Sequence, residues 1–215
     1  MLNLTLPDLL LRIAIIVISL TVHEFAHSLM AIRLGDDTPR RDGRLTLNPM
    51  AHIDIVGFIL LIIAGFGWAK PVRIDTSKLK KPRRDEILIS LAGPISNVLF
   101  AVFAALLFKA FLLAAPSTSP DMLRKVFTVF TLAAAMNLGL ALFNLLPIPP
   151  LDGSHLISVF LTRWNTAAAV NFFRYGSLAL LGLIVVERFS KIDILPIGRV
   201  TTFLVFDVLY RLLAI

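Results

Sequence analysis

The chain has no cysteine in its 215 residues. That excludes disulfides and thiolate metal sites, and leaves histidine and carboxylate side chains as the available metal ligands. Charge is also scarce: Asp, Glu, Lys and Arg make up 16% of the sequence, against 57% hydrophobic residues. With a mean hydropathy of +0.84, this composition excludes an ordinary soluble globular domain and implies a polytopic membrane protein. No polar stretch is long enough to fold as a soluble domain of usual size. A single membrane-embedded domain over 1–215 is therefore expected, without an appended peptide-binding or nucleotide-sensing module. A secretory signal is not expected either, because no Lys or Arg precedes Arg12, Asp8 interrupts the start, and the apolar run outlasts a signal sequence.

What charge there is sits in patterned places. The net charge of +7 does not point to nucleic acid, because the basic residues flank apolar runs as topology signals do. Arg33 at the end of the first apolar run, about 7–34, and Arg40, Arg41 and Arg44 after it place its C-terminal side in the cytoplasm. That run exceeds the roughly 20 residues needed to span, and Gly35 is a natural stop. Ile53 to Ala69 is apolar but short, broken by Gly57, Gly65 and Gly67, and basic on both flanks. A crossing would carry one flank outside, so a re-entrant segment with short strands is expected. Further crossings are expected at about 87–114, 123–146, 167–186 and 194–215, with a short amphipathic helix over 154–164. The expected fold class is thus an all-α polytopic membrane protein with about five to six transmembrane helices and a re-entrant or short β segment after the first. Its catalytic core would lie at about 7–155, with additional C-terminal membrane helices at about 167–215.

The chemistry lies in His23-Glu24-Phe25-Ala26-His27. On a helix the two imidazoles share a face and can reach one metal ion at about 2.0 Å each, with Glu24 beside them to handle a metal-bound water. Ionisable side chains inside a membrane span are expensive, which favours a functional reading over a pair of interfacial histidines. A catalytic zinc site needs a third protein ligand and an open position. The remaining candidates are Asp152, His155, His52, Asp54 and Asp207. Asp152 is preferred, because Pro147, Pro149 and Pro150 force irregular backbone that presents it on the same side of the membrane as the histidines. The competing reading makes it a solvated cap of the helix from Ser154. Asn144 is placed to donate to a substrate carbonyl or a developing oxyanion. Asn97 and Asn137 are weaker candidates for that work, interhelical hydrogen bonds being the commoner use of Asn in a bundle.

Taken in order, the HExxH run, Gly43 to Pro49 with His52 and Asp54, Gly67-Trp68-Ala69-Lys70-Pro71-Val72, Ala92-Gly93-Pro94 through Asn97, and Asn144 through Gly153 resemble the site-2 protease family of intramembrane zinc metalloproteases. The resemblance covers most of 22–155 and matches the last third only as membrane helices. It implies a zinc ion held by His23, His27 and Asp152, Glu24 as general base, and Asn144, with Asn97 more tentatively, as a substrate or oxyanion contact. It further implies cleavage of single-span transmembrane proteins, such as anti-sigma factors or signal-peptide remnants, in a prokaryotic inner membrane with the active site nearer the cytoplasmic face. The lipid bilayer, rather than nucleic acid, is the other expected partner. The resemblance names no particular substrate and no oligomeric state. The rival class is a non-catalytic zinc-binding membrane protein or a metal transporter, although a transporter should line several helices with ligands.

Overall fold

A computed structural model describes residues 5–64, 67–190 and 194–213, which are helical over most of their length and contain no sheet. Helix α1 (Leu6–Leu34) starts at Thr5, whose hydroxyl accepts from the Asp8 N–H, has Pro7 in its first turn, and stops at Gly35 in the left-handed conformation. A proline that needs no helical N–H at the start and a glycine that tolerates φ of 114° at the end explain both boundaries. A single turn, α2 (Thr38–Arg41), follows.

The segment expected to re-enter is helical over α3 (Ile55–Ala64). The short strands expected there are not formed among the described residues. What exists is one isolated antiparallel bridge between Ile53 and Ala69, with the Lys70 N–H donating to the His52 carbonyl at 2.8 Å. The two ends of the segment therefore meet. The buried Arg44 guanidinium holds them there, donating to the carbonyls of Ala51, Lys70 and Pro71. Close approach inside the segment depends on Gly57 and Gly67: a Cβ on Gly57 would lie 2.3 Å from the Trp68 carbonyl oxygen, and one on Gly67 would lie 2.0 Å from the Gly57 carbonyl oxygen. Gly65, read in the sequence as a further interruption, lies outside the described residues.

Helix α4 (Pro82–Ala114) runs 33 residues with Pro94 in its interior, and α5 (Pro120–Asn144) returns beside it, capped by Ser119. An irregular stretch, 145–152, leads into α6 (Gly153–Trp164), α7 (Thr166–Ser190) and α8 (Ile197–Leu213). Four of these helices, α1, α4, α5 and α7, are long and apolar enough to cross a membrane. Five to six crossings were expected. The fifth expected span is α8, whose 17 described residues fall short of the usual length.

Helix α4 lies against both α1 and α5, and α8 packs on α5. The seam is rich in alanine: Ala101, Ala104, Ala105, Ala133 and Ala134 are buried with Ile15 and Val205. Small side chains let helix backbones approach closely, and packing rather than water exclusion holds helices together in lipid. Many large apolar side chains instead face outward, among them Leu99, Phe103, Leu178 and Phe203. An outward apolar surface of that extent suits lipid rather than water.

Candidate functional site

Four residues apart on α1, His23 and His27 both point their side chains into the packing between α1 and α4, and both are buried. Their Nε2 atoms are 3.0 Å apart. The Asp152 carboxylate meets them, with Oδ2 3.1 Å from His23 Nε2 and Oδ1 3.3 Å from His27 Nε2. Asp152 immediately precedes α6 but makes no side-chain capping bond. The solvated-cap reading of this residue therefore does not describe the structure. The irregular backbone between α5 and α6 delivers the carboxylate to the histidines instead.

The outer nitrogens of both rings are engaged. His27 Nδ1 lies 2.7 Å from the Ile89 carbonyl oxygen, which can only accept, so that nitrogen carries the proton. His23 Nδ1 lies 2.7 Å from Asn97 Oδ1. In neutral imidazoles so oriented, both Nε2 atoms present lone pairs to each other and to a carboxylate. Three acceptors converging in a buried place repel unless a cation lies among them. Asp152 Oδ2 accordingly has no hydrogen-bond partner although it is buried. His23, His27 and Asp152 are the group of three among the described residues that could hold a metal ion, their ligand atoms lying within 4.8 Å of one another. Two imidazoles and one carboxylate form a donor set suited to a divalent metal, with room left for an open position.

Gly93 of α4 is the floor of this site. A Cβ there would lie 2.4 Å from His27 Nε2 and 2.6 Å from His23 Nε2, so no side chain fits. In the sequence Gly93 is legible as a packing glycine beside Pro94, but nothing there says that it packs on the imidazoles. The Ile89 carbonyl, one turn earlier on α4, was likewise not foreseen.

The site opens into a cleft of about 600 Å³, lined by Glu24, Trp68, Ile89, Asn144 and His155 among others. Glu24 is buried and shares the cleft with the imidazoles. Asn144 lines the same space, and its amide nitrogen donates to the Leu140 carbonyl at 3.0 Å. Asn97, offered by the sequence as a weaker substrate contact, is fully buried, with Oδ1 on His23 and Nδ2 on Asn137 and Ser19. Its amide joins helices rather than facing the cleft.

The other ligand candidates lie elsewhere or do other work. Asp54 caps α3 by accepting from the Gly57 N–H at 2.8 Å. His52 Nε2 contacts the Thr46 carbonyl at 2.8 Å. Asp207 pairs with Arg211. His155 lines the cleft but binds Glu86 through Nδ1 at 2.9 Å.

The comparisons with known proteins agree on one kind of relative. The family model described as peptidase family M50 matches residues 11–122 and 113–185. The candidate zinc metalloprotease YwhC of Bacillus subtilis is 38% identical over 204 residues, covering 91% of this chain and 90% of its own length. The candidate zinc metalloprotease Rip2 of Mycolicibacterium smegmatis is 30% identical over 180 residues, 80% of this chain and 66% of its own. The candidate zinc metalloprotease MJ0611 of Methanocaldococcus jannaschii is 32% identical over 111 residues, about half of each chain. No solved structure matches significantly.

Proposed function

This chain belongs to peptidase family M50, and from that premise we propose that it is an intramembrane zinc endopeptidase cutting transmembrane segments of single-span proteins. The observation that carries the reading is the convergence of His23 Nε2, His27 Nε2 and Asp152 on one point, with both histidines and Glu24 on a helix, α1, long enough to cross a bilayer. His23, His27 and Asp152 would hold the metal. Bound zinc polarises a scissile carbonyl and lowers the pKa of water.

The remaining work falls to the chain's own groups. Glu24 takes the proton of the attacking water and returns it to the leaving amine. One amide hydrogen of Asn144 is used on Leu140; the other is free to reach the substrate carbonyl as charge builds on it. A helical substrate shields its peptide bonds in its own hydrogen bonds, so a partly unwound stretch is what enters. It is admitted beside 67–72, whose Trp68, Pro71 and Val72 form one wall of the cleft. Because the Ile53 and Ala69 ends of the preceding segment are paired, we read that segment as entering and leaving the membrane on one side. On this reading the basic flanks favour the cytoplasmic side, and the membrane is a prokaryotic inner membrane. Anti-sigma factors and signal-peptide remnants are the substrate classes this reading favours.

The decisive experiment is cleavage of reconstituted single-span helices by wild type and Glu24→Gln, with zinc content measured for both. Wild type should cut, and Glu24→Gln should keep its zinc and lose activity by about a thousandfold, the middle of what a general base contributes. Zinc-loaded wild type that cuts no helix would turn the reading toward a helix-binding or metal-handling protein.

A further inference from the structure

The proposed metal site leaves a line of buried polar side chains unexplained, running away from it between α1, α4 and α5. Ser19, Asn97 and Asn137 each have no exposed surface. Amides inside a membrane bundle are costly to bury and face the same burden of satisfaction as any buried polar group. Here each polar atom has one direction open to it, and the directions are set by backbone carbonyls. Ser19 Oγ donates to the Ile15 carbonyl at 2.7 Å, so toward Asn137 it can only accept. Asn137 Nδ2 donates to that hydroxyl and to the Ala133 carbonyl, both at 2.9 Å. Asn137 Oδ1 is thereby turned to Asn97, whose Nδ2 donates to it at 2.9 Å and to the Ser19 carbonyl at 3.4 Å. Asn97 Oδ1 is then the atom left facing His23 Nδ1 at 2.7 Å. An amide oxygen has no proton to give, so the His23 Nδ1 must carry one.

We propose that Ser19, Asn137 and Asn97 form a positioning relay that holds His23 in the tautomer with its proton on Nδ1, so that the Nε2 lone pair faces His27 and Asp152. Partners of the outer nitrogen of a metal-binding histidine set its tautomer and ring orientation, and their loss weakens metal binding. Control reaches back two residues beyond Asn97: the side chains of Asn137 and Ser19 bond to Asn97 and to one another rather than to the His23 ring. His27 needs no such relay, because a backbone carbonyl, which cannot flip, holds its Nδ1. An asparagine can flip, and an Asn97 turned by 180° would present an N–H to His23 and favour the wrong tautomer. Asn137 prevents that flip, and the helix carbonyls at Ile15 and Ala133 prevent its own.

The inference rests on the metal-site reading for its consequence but not for its geometry, so two measurements separate them. The first is ¹⁵N NMR of the metal-free protein with only its four histidines labelled. Wild type and Asn137→Asp, which as the buried neutral acid keeps the shape, the acceptor for Asn97 and one donor toward Ser19 or the Ala133 carbonyl, should show His23 protonated on Nδ1; Asn137→Leu should show a mixture. The second is zinc affinity by competition with a chromophoric chelator. Asn137→Leu should bind about 10- to 100-fold more weakly, and Asn137→Asp within about threefold of wild type. A purely structural role would lower the melting temperature of Asn137→Leu and leave its tautomer and zinc affinity at wild-type values, which overturns the proposal. So does a wild-type His23 protonated on Nε2, a result obtainable even if Asn137→Leu does not fold. Wild type with the expected tautomer but no zinc uptake would refute the metalloprotease reading and leave the relay standing.

Discussion

At the scale of single residues the site is decided by contacts closer than a side chain can tolerate and by atoms with one available partner. Gly93 is the clearest case. Because a Cβ there would stand 2.4 to 2.6 Å from the Nε2 atoms of His27 and His23, and overpacking of a tight site costs about 1–3 kcal/mol, Gly93→Ala should weaken zinc binding by about ten- to a hundredfold. Its overall helicity should not change. A chelator competition alongside circular dichroism checks both halves. At Asp152, Asn is the informative replacement. The amide keeps the shape but not the charge that offsets a metal cation, so Asp152→Asn should lose most of the bound zinc. Metal analysis after dialysis would read this directly. Of the residues near the cleft, His155 and Glu86 bind one another, which accounts for His155 without recruiting it as a ligand.

At the scale of elements, the loop between α1 and α4 is built by buried charge. Arg44 reads in the sequence as one more basic loop residue, yet the residue is 6% exposed and its guanidinium supplies three carbonyls from both ends of the segment around α3. Arg44→Met keeps the length and removes the donors. Buried acceptors left unpaired cost about 1–3 kcal/mol each, so the variant should melt earlier and lose activity as the wall of the cleft at 67–72 shifts. Thermal unfolding in detergent together with the helix-cleavage assay checks this. Asp36 works in the same loop from the other side. Burial pushes its carboxyl up, but bonds from Thr38 and from the Asp75 N–H, with the Lys78 ammonium near, outweigh that and hold it below the ordinary carboxylate range. A carboxyl depressed by folding stabilises above its unfolded pKa, and the stabilisation is lost as pH falls through its folded one. Hydrogen exchange at 36–42 and 73–79 should therefore accelerate below about pH 4, and Asp36→Asn should reduce that dependence, leaving the part owed to Asp37, Asp42 and Asp75, whose carboxyls are also held below the ordinary range.

For the whole molecule the open question of topology can be put to the protein itself, since it has no cysteine of its own. Single cysteines at Met50 and Lys80, both exposed, should react with an impermeant maleimide from one side of the membrane, and one at exposed Ser117 from the other. Labelling of Met50→Cys and Lys80→Cys from opposite sides would mean that the segment holding α3 crosses. The four helices able to span, α1, α4, α5 and α7, present lipid-facing leucine and phenylalanine, while the alanine seam and the polar relay lie between them.

Periodicity and composition by themselves determined the membrane character of this protein, the extents of α1, α4 and α5 to within a few residues, and the pairing of His23 with His27. Those features follow from local rules: a span needs a run of apolar residues, and a helix puts i and i+4 on one face. The meeting of the Ile53 and Ala69 ends was legible only in part, through the charge on both flanks. Its helical interior was not, because a glycine-broken apolar run suits a strand as well as a helix. Only the tertiary structure decided what depends on residues distant along the chain: that the Asp152 carboxylate turns from capping α6 to face α1, that Gly93 lies under the imidazoles, that Arg44 is a buried strut, and that Asn97 and Asn137 face inward to His23 and Ser19. Each of these depends on contacts between segments apart in the chain, made when helices pack, and no local pattern encodes which way an amide or a guanidinium will point once they do.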